Sequence, residues 1–314
     1  MTRPPWPTGA GLGVARMEHL MPTRRVPDDP SGVLSAHAAS VDLRELDLAG
    51  FDAILVNSSA GKDSQVSLDL MATAARAQRV LDRVTVLHCD LGAVEWPGVV
   101  DLAAAQAAHY GLRFVTVRRE RGGLLDLVRA RGQWPSHRAR FCTSSLKREP
   151  SRRFLTQLVA GLGLDRPARI LSTLGLRAEE SPARSRRPPF ALDAGASNLT
   201  RRHVWTVLPV HDWTHAQVWS RIRAAGVPHH PAYAAGMRRL SCSLCPLAAR
   251  ADIVRACQLR PGLARRYLAV EREIRQPFRP GLWLHEAYAQ AAATARPADP
   301  IAGGPAPAWG RWPR

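Results

Sequence analysis

The sequence predicts an α/β fold in which a parallel sheet carries helices on both faces, followed by a small helical subdomain that bears cysteines. Between residues 50 and 175, short apolar runs alternate with longer segments of helical periodicity. This alternation is typical of parallel strands joined by crossover helices. With 314 residues, of which 46% are hydrophobic, the chain is long enough for one such domain and a smaller appendage.

The first half of the chain contains most of the predicted sheet. A strand over residues 53–57 precedes a helix over 64–78, in which Val66, Leu70 and Ala74 recur at helical spacing. The later strands are predicted over 84–88, 114–117 and 169–174, and the later helices over 99–110, 124–131 and 146–160.

The second half begins with a long loop over 181–203, rich in Pro and Arg. A strand is predicted over 204–210, and Thr214 is a candidate N-cap for a helix that ends before Gly226. A cysteine-bearing turn and two helices follow over 242–275. We therefore predict four parts: a flexible segment over 1–40, the α/β domain over 41–203, a C-terminal subdomain over 204–295 and a flexible tail over 296–314.

The chain is strongly basic, with a formal charge of +18, but its basic residues are almost all arginine. Of the 44 basic residues, only Lys62 and Lys147 are lysine. This bias leaves two interpretations open, a surface for a polyanion such as nucleic acid and a compositional background. A compact ammonium fits where a planar guanidinium does not, so the two lysines are candidate functional residues.

The remaining composition limits the class of protein. Five cysteines are too few for a disulfide framework, which leaves them as ligands, nucleophiles or core residues. No stretch approaches the ~18 apolar residues of a membrane span, and the N-terminal 25 residues lack an apolar signal region. We expect a cytoplasmic protein without a membrane partner.

The loop over residues 58–64, Ser-Ser-Ala-Gly-Lys-Asp-Ser, has the strongest functional signal. It fails the Walker A pattern, because Val56 stands where a glycine is required and Asp63 follows the lysine. It suits a different phosphate site, in which hydroxyls and N–H groups lie at a positive helix N-terminus. Asp63 is expected either to hold magnesium or to orient the loop. The candidate phosphate-binding residues are Ser58, Ser59, Gly61, Lys62 and Ser64.

The 58–64 loop resembles the PP-loop of the adenine nucleotide alpha-hydrolase superfamily, although Ser59 and Ala60 replace its usual Gly-Gly. Four further segments resemble the phosphoadenosine phosphosulfate (PAPS) reductase-like branch. They are residues 88–92 with Glu95, residues 140–147, residues 175–181 with Arg184, and residues 209–214 extending through Tyr233 to 242–246.

That resemblance implies a Rossmann-like sheet and a set of site residues. It places nucleotide binding at Asp90, Gly92, Gly175 and Arg177 as well as at the loop. It implies that a substrate anion meets Arg177, Glu180, Ser181 and Arg184, and that the catalytic residues are Lys62, Asp63 and Lys147.

The cysteines add a metal prediction. Cys242 and Cys245 have the spacing of metal ligands, and Cys142 lies in another of the matching segments. Family members with an iron–sulfur cluster resemble this arrangement, with Cys257 as a fourth ligand or a core residue. A [4Fe–4S] cluster is the first expectation, and zinc or no metal are the alternatives.

The resemblance implies an enzyme that binds ATP and Mg²⁺, adenylates a substrate with release of pyrophosphate, and couples this to sulfur transfer. Reductases of the family carry a catalytic cysteine near the C-terminus, whereas no cysteine follows Cys257 in this sequence. A sulfonucleotide reductase is therefore the alternative, and a non-catalytic nucleotide-binding component of a DNA-modification or defence complex is the third. The expected partners are a nucleic-acid acceptor and a sulfur donor or thiol-reductant protein; the oligomeric state is not predicted.

Overall fold

A six-stranded sheet forms the centre of the protein in this computed structural model, which describes residues 41–198 and 200–294. The strand order is β3-β2-β1-β4-β6-β5, and all pairs are parallel except β5 with β6. The predicted α/β fold is confirmed, and the segments predicted to be flexible, 1–40 and 296–314, lie outside the described residues. The strands are β1 Ala53–Ser58, β2 Val84–Asp90, β3 Arg113–Arg118, β4 Ala168–Leu174, β5 Phe190–Leu192 and β6 Arg202–Val207.

The long helices follow the predicted order up to α9. A π-helical turn over Ser144–Arg148 delays the start of α5, and α4, α6 and α10 had no counterpart among the predicted elements. The helices are α1 Lys62–Ala77, α2 Val99–His109, α3 Leu124–Arg131, α4 Phe141–Thr143, α5 Glu149–Leu162, α6 Pro182–Ser185, α7 His215–Ala225, α8 Arg250–Leu259, α9 Pro261–Ile274 and α10 Leu284–Ala293.

Helices cover both faces of the sheet because successive strand residues point to opposite sides. On β1, Ile54 and Val56 belong to the same buried cluster as Leu68 of α1. Leu55 belongs to a cluster on the other face with Phe154 of α5. The near-continuous apolar run of β1 is what a strand buried on both faces requires.

The predicted domain boundary between residues 203 and 204 falls inside β6. This strand pairs with β4 from Ala168↔Arg202 to Thr173↔Val207, so it is part of the main sheet. The sheet thus continues past the long loop that the Pro and Arg content indicated, and that loop also contains α6 and β5.

The C-terminal helices build a second core beside the sheet. Helices α8, α9 and α10 pack on one another and α9 packs on α3, with the rings of Trp134, Tyr267 and Phe278 in mutual contact. The buried carboxylate of Glu271 accepts hydrogen bonds from the backbone N–H groups of Phe278 and Leu284, at 3.0 and 2.7 Å. Among the described residues, no helix has both the length and the apolar composition needed to cross a bilayer.

Gly175 is where the end of β4 meets the start of α1. A Cβ atom at this position would lie 2.6 Å from the backbone nitrogen of Ser64 and 2.7 Å from the carbonyl carbon of Asp63. Neither backbone atom can move without shifting the helix. The absence of a side chain at Gly175 therefore sets the distance between β4 and α1.

Substituting Gly175→Ala is expected to lower the free energy of unfolding by about 1–3 kcal/mol, because overpacking displaces the N-terminus of α1. Gly161→Ala is the control, since a Cβ there meets nothing within 4 Å and alanine favours the helix. Urea unfolding of both variants measures the difference. Equal stability of the two would contradict the close approach at Gly175.

Candidate functional site

The site lies where the strand order reverses. Strand β1 lies between β2 and β4, and the chain leaves β1 toward β2 and β4 toward β6. In open parallel sheets, ligands bind in the crevice outside the carboxyl ends of the strands at such a point. The phosphate loop, residues 58–64, follows β1, and the loop with Gly175 and Arg177 follows β4. The structure thus brings together two of the segments that the sequence singled out.

Hydroxyl groups brace the phosphate loop from within. Ser64 Oγ donates to the carbonyl of Gly61 at 2.9 Å and accepts from the N–H of Ser59 at 3.2 Å. Ser58 Oγ accepts from the N–H of Ala60 at 3.1 Å. Ala60 itself is fully buried with φ 54°, the left-handed conformation in which an alanine costs about 1–2 kcal/mol. This strain explains why a glycine is usual at this position of PP-loops.

Asp63 holds two cations. Its Oδ2 lies 2.6 Å from Lys62 Nζ, and its Oδ1 lies 2.5 Å from Arg177 Nε. Lys62 is only 2% exposed and Arg177 only 3%. Burial lowers the pKa of Lys62, and the charge of Asp63 opposes that shift. These contacts orient Lys62 and Arg177; the magnesium role expected for Asp63 stays a prediction.

Further arginines surround this pair. The pKa of Arg184 is lowered to about 10 by burial and then by the charges of Arg239 and Arg140. Glu180 pairs with Arg184 and, at 3.1 Å, with Arg239. The carboxylate of Glu180 is therefore paired with arginines. Ser181 caps α6, because its side chain accepts a hydrogen bond from the N–H of Arg184. The cations still exceed their carboxylate partners, which is the electrostatic signature of an anion site.

The sequence did not identify Arg239 as a site residue. Arg239 pairs with Glu180 at 3.1 Å, and the next residue, Leu240, lies 3.5 Å from the position of a Cβ at Gly61 of the phosphate loop. The charge of Arg239 lowers the pKa of Lys62 and of Arg184. In a chain whose basic residues are almost all arginine, no local signal separates this one from the others.

Tyr233 contacts the phosphate loop directly. Its hydroxyl oxygen accepts from the backbone N–H of Lys62 at 2.9 Å and from the N–H of Leu240. Burial raises the pKa of Tyr233, and Trp219 packs edge-on against its ring at 5.1 Å. Tyr233 thus satisfies an N–H at the start of α1 that would otherwise face the crevice.

Asp90 and Gly92 form the turn after β2. The Asp90 carboxylate accepts from the N–H of Gly92 at 2.7 Å and pairs with Arg118 of β3. Gly92 has φ 68°, which suits a residue without a side chain. His88 Nδ1 donates to the carbonyl of Ser58 at 2.9 Å, which joins this turn to the phosphate loop. The nucleotide contacts predicted for Asp90 and Gly92 stay predictions.

Three of the four predicted cysteine ligands lie near one another. Burial, together with the charges of Cys245 and Cys142, raises the pKa of Cys242 to about 12. Burial also raises the pKa of Cys245, with a contribution from Cys142. These interactions define the thiol group, Cys142, Cys242 and Cys245.

Cys257 differs from the thiol group in being fully buried in the core that Cys142 and Cys242 pack against. It is buried in α8, and burial alone raises its pKa to about 12. Across residues 41–198 and 200–294, no set of three or more His, Cys, Asp or Glu side chains is placed to hold a metal ion. The four cysteines therefore do not fit a [4Fe–4S] cluster or a zinc site as they are arranged, and Cys257 is a core residue.

The second lysine is associated with the thiols. Lys147 is exposed in the π-helical turn, and its charge lowers the pKa of Cys242 and of Cys245. Its carbonyl accepts a long hydrogen bond, 3.7 Å, from Cys89 Sγ. A single π-helical turn inside a helix is frequent at functional sites.

Residues 53–248 match the family model of the phosphoadenosine phosphosulfate reductase domain. An uncharacterized 37.8 kDa protein of Escherichia phage 186 is 30% identical over 51% of this chain and 47% of its own length. The adenosine 5'-phosphosulfate reductase of Allochromatium vinosum is 26% identical over 72% of this chain and 80% of its own. The chain thus spans about half the length of the phage relative.

One solved structure similar to this chain is the phosphoadenylyl-sulfate reductase of Candida auris in a phosphate complex. It shares 19% identity and covers 64% of this chain and 88% of its own, with a TM-score of 0.44.

Substituting Tyr233→Phe is expected to lower the melting temperature of the free protein, because an unsatisfied buried N–H costs about 1–3 kcal/mol. Saturating MgATP should reduce the deficit, since a phosphate oxygen can accept from the same N–H of Lys62. Tyr288→Phe is the control, as no hydrogen bond to its hydroxyl is found in the described part of the chain. A deficit that is equal with and without MgATP would place this N–H outside the nucleotide site.

Proposed function

We propose, because the chain belongs to the phosphoadenosine phosphosulfate reductase domain family, that it is an enzyme that binds ATP and transfers the adenylyl group to a substrate oxygen with release of pyrophosphate. The observation that carries this proposal is the buried Lys62 at the N-terminus of α1, held by Asp63 beside Arg177.

The proposed role of Lys62 follows from its charge and position. When the bond to the α-phosphate breaks, negative charge develops on the departing pyrophosphate. An ammonium group that is already oriented by Asp63 stabilises this charge without reorganising at that moment. The backbone N–H groups at the start of α1 add the positive end of the helix dipole.

Arg140, Arg184 and Arg239 form the second part of the proposed site. Their charges act on one another across the crevice, and Glu180 neutralises only part of them. A second anionic group, from the substrate or from the outer phosphates, would relieve this repulsion. Mg²⁺ would enter as the ATP complex, because the described carboxylates form no cation site of their own.

The finer part of the proposal is that adenylation prepares the substrate for sulfur transfer. It is supported by the neighbourhood of the thiol group, because Arg239 influences the pKa of Cys245 as well as that of Lys62. The bond between the substrate and its adenylated oxygen would break, and AMP would carry that oxygen away. A nucleophilic sulfur at the sulfide level, a hydrosulfide or a thiocarboxylate from a donor protein, would form the new bond to the substrate from the side of the thiol group. Since the cysteines do not fit a metal group, no step is assigned to one.

A second candidate function is sulfonucleotide reduction. The relative from Allochromatium vinosum, an adenosine 5'-phosphosulfate reductase, supports it. The same arginines would then bind the sulfate of the substrate, and a thiol reductant protein would supply the electrons. The two functions differ in their products, which are AMP with pyrophosphate in one case and sulfite with AMP in the other.

Lys62→Gln is expected to slow the formation of AMP from MgATP by about 100-fold, because it removes one preorganised charge from the transition state. The assay follows AMP and pyrophosphate with water as the acceptor. Arg265→Gln is the control, since this exposed arginine of α9 lies outside the site.

Formation of ADP and phosphate instead of AMP and pyrophosphate would contradict adenylyl transfer. Sulfite released from adenylylsulfate by the wild-type chain and reduced thioredoxin, without AMP formation from ATP, would favour the reductase. Tight ATP binding with none of these products would leave only a nucleotide-binding role.

A further inference from the structure

We propose that a groove along α5 binds the sugar–phosphate backbone of a nucleic acid. The groove has Ser144 and Ser145 at one end, Arg148, Arg152 and Arg153 along it and Thr156 at the other end. If this is right, the substrate that receives the adenylyl group is a nucleic acid. That the bound nucleic acid is adenylated rests on the proposed function.

Arg148 and Arg152 form the basic stripe of this groove. They lie four residues apart on the helical run from the π turn into α5, so their Cα atoms are separated by about 6 Å along its axis. Both side chains are exposed, and within the described residues neither forms an ion pair or a hydrogen bond. Glu149 is the acidic residue of the groove, and it too forms no ion pair with a described residue.

Arg202 extends the stripe from β6. Its Nε donates to the carbonyl of Ala196 at 2.8 Å and its Nη1 donates to Thr156 Oγ1 at 2.9 Å, which fixes the guanidinium beside α5. Burial lowers the pKa of Arg202, and the charge of Arg152 lowers it further. Two guanidinium groups are thus held close together without a carboxylate bonded to either, an arrangement that an anion would stabilise.

The groove arginines differ from the other exposed arginines because they lie in a row along one groove. Elsewhere on the surface, some exposed arginines are paired with carboxylates, Arg129 with Glu273 at 2.8 Å and Arg166 with Asp52 at 2.7 Å. Others, such as Arg265 of α9, have no carboxylate partner among the described residues. Even within the groove, Arg153 is neutralised by Glu120 at 2.8 Å. Within the groove, Arg148 and Arg152 are the arginines without a carboxylate partner among the described residues, and the partly exposed Arg202 lies beside them.

The position and shape of the groove select the kind of anion. A single small anion could bridge Arg152 and Arg202, but a row of charges that also includes Arg148 fits a chain of repeating phosphates. One end of the row reaches Ser144 and Ser145, between Cys142 and Lys147. A strand lying along α5 would therefore lead into the thiol group beside the proposed site.

The test is fluorescence anisotropy of fluorescein-labelled single strands of about 20 nucleotides, as DNA and as RNA, titrated with the full chain at several salt concentrations. The double variant Arg148→Glu/Arg152→Glu is expected to weaken binding by at least about tenfold and to lower the salt slope by about 1.4, the value for two phosphate contacts. The variant Arg148→Gln/Arg152→Gln should show the same direction with a smaller loss.

The matched control is Arg265→Glu/Arg272→Glu, which reverses two exposed charges on α9. Equal weakening by the control and the groove variant would overturn the proposal, because binding would then depend on net charge alone. Competition by poly-L-glutamate as effective, charge for charge, as that by unlabelled oligonucleotide would also overturn it. A preference for DNA or for RNA identifies the natural source of the backbone.

The formation of AMP from MgATP separates this proposal from the proposed function. The groove variants should retain the wild-type rate with water as acceptor, because Arg148 and Arg152 do not contact the phosphate loop. Nucleotide turnover without oligonucleotide binding by the wild-type chain would remove the groove proposal alone. Oligonucleotide binding that depends on the groove, without AMP formation, would remove the adenylation proposal alone.

Discussion

The carboxylate of Asp63 holds together the two loops that make the crevice. It joins Lys62, in the loop after β1, to Arg177, in the loop after β4, through contacts of 2.6 and 2.5 Å. Both cations are almost fully buried, and a buried charge without a partner is strongly unfavourable. The close packing of Gly175 against the backbone of α1 permits this geometry, since any side chain there would push the two loops apart.

An excess of positive charge follows from that arrangement. At the centre, Asp63 serves Lys62 and Arg177, and Arg177 also pairs with Glu179. At the side, Glu180 serves Arg184 and Arg239, so three carboxylates face four cations. With the N-terminus of α1 directed into the same crevice, the potential there favours anions over the whole width of the site. The groove along α5, proposed as a nucleic-acid surface, begins at Ser144, two residues after Cys142 of the thiol group.

In the chain, the cysteines of the thiol group adjoin both the groove along α5 and Arg239 of the proposed nucleotide site. Cys142 precedes the serines at the end of the groove, while Cys242 and Cys245 follow Arg239 in the chain. Electrostatic contact among the three thiols and with Lys147 shows that distant segments converge here. Cys257 is fully inside the helical core with Leu259 and Tyr267, and Cys142 and Cys242 are partly buried against that same core.

The sequence by itself determined the order of strands and helices, because the periodicity of apolar residues is a local property, and it determined the loop at Lys62 and Asp63, because spacing along one turn is local too. Only the tertiary structure decided that β6 completes the main sheet, that Tyr233 and Arg239 reach the phosphate loop, and that Cys257 turns into the core. It also decided which arginines lack carboxylate partners, a distinction that a chain rich in arginine hides. Each of these depends on pairing and packing between residues far apart in the chain, which no local pattern records.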